Sequence, residues 1–145
     1  MNYSEKPNKL PLVSIGIPTY NNPNGLWHTL RSITKQTYEN IEIIISDNHS
    51  QNDEVEKVAY SFAENDPRVH YFKQKENIGS GNNFRFVFQK ANGDFFLWAS
   101  DDDDWAHDAI EKYMSVFFNN QNINLAISNV EIKDLTGQLI NCIDF

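Results

Sequence analysis

Four consecutive aspartates, Asp101 to Asp104, are the part of this sequence that most clearly suggests chemistry. Adjacent carboxylates repel one another and raise one another's pKa unless a cation neutralises them. A short carboxylate cluster with few other ligands is typical of a Mg²⁺ or Mn²⁺ site that water and substrate phosphates complete. The same run could equally be a solvated acidic turn that caps a helix starting near Ala106, because Asp is favoured at helix N-termini. The run by itself leaves both interpretations open.

Two further polar segments could contact a ligand. Asp47 and Asn48 could bond the edge of a nucleobase, or could close an Asx turn and cap a helix from Asp53. Asn77 to Gly81 contains two glycines that would let the backbone approach a ligand closely, although such a pair is also common in ordinary turns. The sequence has no Walker lysine motif and no complete dinucleotide-binding glycine pattern. Any phosphate would then be held by backbone donors or through a metal ion.

Histidine and cysteine give weaker signals. The four histidines are too scattered for a recognisable zinc motif, and we assign none of them as a ligand. The single cysteine, Cys142, lacks the neighbours of a nucleophile and is predicted to be a packing residue. One cysteine cannot form an intrachain disulfide, and the polar segment Met1 to Pro11 lacks the apolar core of a signal peptide. These features predict a reducing, cytoplasmic setting, with a peripheral place at the inner face of a membrane left open.

Strands that alternate with amphipathic helices must position these segments. Strands are predicted at Val13–Ile17, Ile41–Ile45, Val69–Phe72, Phe95–Ala99, Leu125–Val130 and Leu139–Ile143. Helices are predicted from four apolar faces, which are Leu26/Leu30/Ile33, Val55/Val58/Ala59/Phe62, Phe84/Val87/Phe88/Ala91 and Ala109/Ile110/Tyr113/Met114/Phe117/Phe118. Asn24 is the predicted N-cap of the first helix, and Asp134 to Gln138 a predicted turn. The alternation predicts an α/β fold with a mostly parallel sheet.

A parallel sheet would bring three polar loops to one edge. Ligands bind outside the carboxyl ends of such strands, where helix N-termini and loop amides converge. The loops Thr19–Asn22, Asp47–Ser50 and Asp101–Asp104 each follow a predicted strand. We therefore expect these loops to form one site.

Length and charge limit the classes of protein. The chain has 145 residues, a hydrophobic fraction of 40% and a net charge of −8. These values fit one globular domain and disfavour a nucleic-acid partner, because an acidic protein repels the phosphate backbone. No run approaches the roughly 20 apolar residues that a membrane-spanning helix needs.

Several segments together resemble the family 2 glycosyltransferases of GT-A fold. They are Val13–Asn21 (VSIGIPTYN), Ser32–Tyr38 (SITKQTY), Ile41–Ser50 (IEIIISDNHS), Asn77–Gly79 (NIG) and Ala91–Trp105 (ANGDFFLWASDDDDW). The resemblance extends from about Leu12 to Phe145. It implies a three-layer α/β/α, Rossmann-like GT-A fold, with residues 1–145 forming a single nucleotide-sugar-binding domain and the acceptor-binding half following it.

The resemblance also implies an activity and its residues. Such enzymes transfer a sugar from a nucleotide-diphosphate donor, here expected to be a UDP-sugar, to a hydroxyl of a glycan or lipid-linked acceptor, often for a cell-surface polysaccharide. The candidate donor-binding residues are Thr19, Tyr20, Asn21, Asp47, Asn48, Asn77, Gly79, Asn83 and Asp101. Asp102 matches the most direct metal ligand, with Asp101 and Asp103 as further candidates for Mn²⁺ or Mg²⁺.

The sequence departs from the family pattern at three places. His49 stands where the family often has glycine, Phe84–Arg85 where many members have arginine then asparagine, and Ser100 where many have aspartate. The general base of inverting members normally lies downstream of Phe145, so we name no catalytic residue and expect this chain to bind donor without turnover.

Two other classes of protein also use an acidic site of this kind, the nucleotidyltransferases and the receiver-like signalling modules. A nucleotidyltransferase would need a basic glycine-rich activation loop near the N-terminus. A receiver-like signalling module would need separated carboxylates and a lysine at a late strand end. The sequence shows neither pattern.

Overall fold

The computed structural model describes residues 9–120, 122–134 and 136–144. Its elements are β1 (Val13–Thr19), α1 (Pro23–Ile33), β2 (Ile41–Asp47), α2 (Glu54–Ala63), β3 (Val69–Lys73), α3 (Ser80–Gln89), β4 (Phe95–Trp98), α4 (Ala109–Asn119), β5 (Val130–Lys133) and β6 (Leu139–Ile143). Three predicted features lie outside the described residues. They are the two ends of the predicted domain 1–145, most of the polar N-terminal segment, and Leu135 of the predicted turn. The alternation of β1 to β4 with helices confirms the predicted α/β class.

The first four strands form one parallel sheet in the order β3-β2-β1-β4. Val13 at the start of β1 is in register with Ile41 of β2 and Phe95 of β4. The chain therefore builds outward from β1 to β3 and then returns to place β4 on the other side of β1. That reversal makes the junction of β1 and β4 a topological switch point, and the space outside their carboxyl ends, here called the crevice, is where open parallel sheets bind ligands.

One face of the sheet carries the main hydrophobic core. Alternate side chains of β1 and β2, among them Ile15, Ile17, Ile43 and Ile45, are fully buried there. They belong to one cluster with apolar side chains of α1, α2 and α4, namely Leu26, Leu30, Ile33, Val55, Ala59, Ile110 and Met114. Every residue of β1 and β2 is buried, as is typical of strands covered on both faces.

The opposite face is covered by α3. A Cβ added to Gly16 of β1 would lie 2.6 Å from Val87 Cγ2 of α3, so the helix lies directly on this strand. Helices thus cover both faces, which confirms the predicted three-layer α/β/α arrangement.

A buried carboxylate joins β1, β2 and the turn that leads into β4. Glu42 is 8% exposed and accepts hydrogen bonds from the Ser14 hydroxyl, the Asn92 N–H at 2.6 Å and Asn92 Nδ2 at 3.1 Å. Burial raises the pKa of Glu42, but these hydrogen bonds outweigh it and hold that pKa below its ordinary value. The contact fixes where β4 starts and therefore where its carboxyl end lies.

Two predictions about where helices begin were wrong. The N-cap of α1 is Asn22, whose side chain accepts from Gly25 N at 3.1 Å, and not Asn24. Pro23 at the first helical position explains this choice, because its fixed φ suits N1 and it lacks an N–H that would need a partner. The last helix begins at Ala109 and not near Ala106.

The buried face of α3 also differs from the prediction. Val87 is buried there together with Asn83, whereas Phe84 and Phe88 are 43% and 53% exposed. Phe88 instead packs its ring edge-on against Phe96 at the outer strand, with ring centroids 5.1 Å apart. A polar residue takes the buried position because it bonds the backbone below it.

The C-terminal region was predicted less well. Residues 125–129 are not a strand. The strand there, β5, begins at Val130 and pairs antiparallel with β6, and only the bounds of β6 were predicted correctly. Cys142 on β6 is exposed, so the prediction that it is a packing residue was wrong. Across residues 9–120, 122–134 and 136–144, no helix has the length and hydropathy needed to cross a membrane.

Candidate functional site

A hydrogen bond between two candidate site residues connects the two sides of the crevice between β1 and β4. Thr19, the last residue of β1, donates its hydroxyl to Asp101 Oδ2 at 2.6 Å. Asn22 Nδ2 donates to Asp101 Oδ1 at 3.2 Å from the start of α1. The structure therefore brings the loop after β1 and the acidic run after β4 to one edge of the sheet, as the sequence predicted.

Asp47, at the end of β2, lies fully buried beneath the neighbouring loop. Its Oδ1 accepts from Ser50 N at 2.8 Å, and its Oδ2 accepts from the Tyr71 hydroxyl of β3 at 2.9 Å. Burial of the phenol, and then its hydrogen bond to Asp47, raise the pKa of Tyr71 well above 10, which keeps it a neutral donor. The carboxylate thus closes the turn, and a direct contact between Asp47 and a base stays a prediction.

Asn48 connects three loops at the same edge. Its N–H donates to Thr19 O at 2.9 Å, its Nδ2 donates to Asn77 Oδ1 at 3.0 Å, and its Oδ1 accepts from Ile78 N at 2.9 Å. Asn77 Oδ1 also accepts from Gly79 N, and Gly79 has a φ of 80°, a conformation that glycine adopts without strain. Asn48, Asn77 and Gly79 therefore stand together as predicted candidates.

Asn83 lies below the edge and holds two strand ends together. It is 2% exposed, and its Nδ2 donates to Ser46 O at 2.9 Å and to Thr19 O at 3.5 Å. Its Oδ1 accepts from the Ser46 hydroxyl at 2.6 Å. This arrangement supports the ends of β1 and β2, and a contact between Asn83 and a donor stays a prediction.

The exposed part of the edge includes Tyr20 and Asn21. Tyr20 is 41% exposed. Asn21 has a φ of 53°, its N–H donates to Ser50 Oγ at 2.8 Å, and its Oδ1 accepts from Gln51 N at 2.8 Å. These bonds fix the loop after β1 against the loop after β2, so the edge is held in place from both sides.

The acidic run folds into a turn that bonds itself. Asp103 Oδ2 accepts from Ser100 N at 3.1 Å, and the Ser100 hydroxyl donates to Asp102 Oδ1. Thr29 of α1 anchors the turn from below by donating to Asp103 O at 2.8 Å. Partial burial raises the pKa of Asp103, and the charges of Asp102 and Asp101 add to this rise while the Ser100 N–H opposes it. At Asp103 the neighbouring carboxylates therefore act in the predicted direction, although burial has the larger effect.

The acidic run does not form a complete metal cage. In the part of the chain that the structure describes, no three His, Cys, Asp or Glu side chains converge into a group that could hold a metal ion. Asp101 is engaged by Thr19 and Asn22, whereas the neighbouring Asp102 is exposed. One or two carboxylates completed by water and phosphate oxygens are the usual ligands of Mg²⁺ and similar hard cations. The residues fit such an open site.

Sequence reasoning missed several residues that shape this edge. Asn22 and Ser50 lie in the loops that were expected to form the site, but neither was given a contact; the N-cap role of Asn22 could have been found, because an Asx residue directly before a proline is a strong helix-start signal. Tyr71 and Ser50 carry no such signal, since their bonds to Asp47 depend on how β3 and the loop after β2 pack. His49, with a φ of 65°, was noted only as a departure from a glycine pattern.

Comparisons with known proteins show which sequences and folds this chain is similar to. The model of the family "Glycosyl transferase family 2" matches residues 14–140. An uncharacterized glycosyltransferase of Rickettsia felis is 38% identical over 107 residues, which are 73% of this chain and 17% of the relative. The GalNAc(5)-diNAcBac-PP-undecaprenol beta-1,3-glucosyltransferase of Campylobacter jejuni is 30% identical over 106 residues, covering 72% of this chain and 34% of that protein.

Solved structures show the same fold. The mannosyltransferase PcManGT from Pyrobaculum calidifontis, in complex with GDP-Man and Mn²⁺, has a TM-score of 0.69 at 20% identity and covers 88% of this chain and 37% of its own. The chain spans about a third or less of the length of these two curated relatives. The GT-A fold implied by the sequence is confirmed. By its family match and by this fold, the chain belongs to glycosyl transferase family 2.

Proposed function

We propose that this chain is the donor-binding domain of a glycosyltransferase that moves a sugar from a nucleotide diphosphate, with UDP-sugar the expected donor, to a hydroxyl acceptor. The observation that carries the proposal is the 2.6 Å hydrogen bond from Thr19 to Asp101 across the crevice between β1 and β4. It places the acidic run beside the loop after β1, at the position where open parallel sheets bind phosphate-bearing ligands. The family membership supports the same chemistry.

Different residues of the edge would bind different parts of the donor. Asp102, exposed beside the fixed Asp101, would hold a Mn²⁺ or Mg²⁺ ion, with Asp103 as a neighbouring candidate. Such a cation, when bound, neutralises the negative charge that develops on a departing diphosphate. The nucleoside would be bound or supported by the other candidate residues of the edge, which are Thr19, Tyr20, Asn21, Asp47, Asn48, Asn77, Gly79 and Asn83. PcManGT, which has the same fold, is a complex with GDP-Man and Mn²⁺.

The acceptor is proposed from the relatives. The Campylobacter jejuni relative is named for an undecaprenol-linked acceptor. We therefore include a glycan or lipid-linked acceptor, as in surface polysaccharide synthesis, with the protein working at the surface of the membrane that carries it. Because the relatives are longer than this chain, we propose that the acceptor side and the general base are contributed by sequence outside the 145 residues.

Isothermal titration calorimetry tests the donor-binding function directly. The 145-residue chain is titrated with UDP and with GDP, in Mn²⁺, in Mg²⁺ and in EDTA. We expect binding that requires the divalent ion. Absence of binding by any nucleoside diphosphate in either metal would refute the proposal.

A pair of aspartate variants shows whether the acidic run acts through a specific residue. Asp102→Asn should weaken metal-dependent binding at least tenfold, because it removes the exposed carboxylate beside Asp101. Asp104→Asn removes one charge from the same run and should stay within about twofold of wild type, because an exposed charge that does not ligate the ion contributes little through water. Equal loss in both variants would show that only the general charge of the run matters.

Family membership decides against the two other classes. The match to the glycosyl transferase family 2 model over residues 14–140 favours a glycosyltransferase over a receiver-like module or a nucleotidyltransferase.

A further inference from the structure

Three exposed aromatic side chains form one cluster on the side of the sheet that α3 covers. Phe84 and Phe88 of α3 are 43% and 53% exposed, and Trp98 at the end of β4 is 49% exposed. The ring centroids of Phe88 and Trp98 lie 5.9 Å apart, and the Trp98 indole donates its N–H to Phe84 O at 3.2 Å. Phe96 joins them, with its centroid 5.1 Å from that of Phe88 and 4.8 Å from that of Trp98. A contiguous apolar patch of this kind, unlike single exposed apolar residues, marks a surface that contacts a partner.

The same surface carries positive charge. Arg85 is exposed and lies three residues before Phe88, so both stand on one stripe of the helix. Lys90, also exposed, places its Nζ 5.4 Å from the ring centroids of Phe72 and Phe86 on the other flank of α3. The sequence from 77 to 93 contains no Asp or Glu, although the chain has 20 of them and a net charge of −8. We call Phe84, Arg85, Phe88, Lys90 and Trp98 the α3 face.

The carboxylates near the α3 face do not share its surface. Glu42 bonds Asn92 in the turn after α3, but it is only 8% exposed. The acidic run is anchored to the opposite side of the sheet, where Thr29 of α1 donates to Asp103 O at 2.8 Å and to Ser100 O at 3.2 Å. The α3 face is therefore basic and aromatic on a protein that is acidic as a whole.

An anionic membrane surface has the matching chemistry. Surfaces that lie on a membrane combine Trp or Phe, whose rings enter the headgroup region, with Arg and Lys, which attract anionic headgroups. The Debye length is about 8 Å at physiological salt, so acidic groups on the far side of the sheet are screened and the local charge decides the contact. The helix also begins at the crevice, where Asn83 bonds the backbone of Ser46 at the end of β2. A membrane along α3 would therefore lie beside the crevice.

We propose that the α3 face is a membrane-contact surface, with its three aromatic rings at headgroup level and Arg85 and Lys90 directed to the phosphate groups of anionic lipids. The choice of a membrane over an acidic protein rests on the proposed function, which includes a lipid-linked acceptor. The contact itself requires neither nucleotide nor metal, so it is measured separately from donor binding.

Vesicle sedimentation without nucleotide tests the contact. The 145-residue chain should bind vesicles of mixed phosphatidylcholine and phosphatidylglycerol at least tenfold more tightly than vesicles of phosphatidylcholine alone, because each basic residue at an anionic surface contributes about fivefold. Arg85→Gln should weaken binding to the mixed vesicles by about fivefold. Phe88→Ser should weaken binding to both kinds of vesicle by a similar factor, since only the exposed half of the ring can leave water.

Arg31→Gln is the matched control. It removes one exposed arginine, beside the exposed Trp27, from α1 on the other side of the sheet, and should stay within about twofold of wild type. Thermal unfolding followed by circular dichroism verifies that each variant is folded, and the arginine pair leaves the core unchanged in any case.

Four results would overturn the proposal. They are no binding of wild type to the mixed vesicles, equal binding to both kinds of vesicle, equal losses in Arg85→Gln and Arg31→Gln, or a dimer in sedimentation velocity that Phe88→Ser abolishes, which would show that a second copy covers the α3 face. The arginine pair is repeated in the longer protein proposed above, where loss of the Arg85 effect would show that further sequence covers the face and would equally refute the contact. Failure of nucleotide to bind in calorimetry would refute donor binding and leave these vesicle results unchanged.

Discussion

Removal of the Thr19 hydroxyl is the sharpest test of how the crevice is organised. Thr19 is 2% exposed and donates to Asp101 Oδ2 at 2.6 Å, so Thr19→Val keeps the shape of the side chain and deletes the bond. A hydrogen bond to an ionised group contributes about 1.5–3 kcal/mol. Because Asp101 is only partly buried, water can replace part of this bond, and we expect a loss near the lower limit, about 1.5 kcal/mol. At about 2–4 °C per kcal/mol, Tm should fall by about 3–6 °C.

Urea denaturation of Thr19→Val, Asp101→Ala and the double variant isolates the pair. The two residues should show a coupling energy of about 1 kcal/mol or more, and the single Thr19 variant should also bind nucleotide more weakly because Asp101 loses its fixed orientation. Thr37→Val is the matched control, since its hydroxyl donates to Glu111 at 2.7 Å in an exposed pair, and it should change stability by less than about 0.5 kcal/mol. Additive effects of the Thr19 and Asp101 substitutions would refute the coupling between the two loops.

Other substitutions probe the support of the same edge. Gly16→Ala should destabilise the protein by about 1–3 kcal/mol, since its methyl would meet α3 at 2.6 Å. The added methyl of Gly81→Ala meets no other atom, and this variant should be more stable than wild type by about 0.5–1 kcal/mol. Urea denaturation of both variants measures these opposite changes in the free energy of unfolding. The lowered pKa of Glu42 contributes stability that is present above about pH 4.3 and is lost as pH falls through the lower folded-state pKa. Glu42→Gln lacks this contribution, so its thermal stability should fall less than that of wild type between pH 7 and 3. Tyr71→Phe should cost about 1–3 kcal/mol in chemical denaturation by removing a donor to the buried Asp47, and unchanged stability would contradict the supporting role of the phenol.

The sequence predicted those features that depend on local pattern. The run from Ile41 to Ile45, β-branched except for Glu42, correctly predicted a strand, and the polar residues after it correctly predicted a loop at a sheet edge. The edge shared by Thr19 and Asp101 followed from the alternation of strands and helices, because a parallel sheet leaves little choice about where its carboxyl ends lie. These inferences needed only periodicity and strand direction.

The features that were missed depend on tertiary contacts. Phe88 has the spacing of a buried residue of α3, yet it lies over the outer strand while Asn83 takes the buried position to bond Ser46. The enclosure of Asp47 likewise requires Tyr71 to reach it from β3. A helical or strand period reports which residues share a face, but it does not report whether that face meets apolar side chains or unpaired backbone groups.

The separation of the paired residues along the chain has a consequence for synthesis and folding. Thr19 and Asp101 are 82 positions apart, whereas β1, β2 and β3 can pair with one another before β4 exists. The entropy of closing so long a loop is lost only when β4 docks beside β1, and contacts of such high sequence separation form slowly. A nascent chain whose acidic run has not yet been synthesised would contain three paired strands but no crevice. Ligand affinity should therefore be the last property the chain acquires, which makes nucleotide binding a reporter of completed folding.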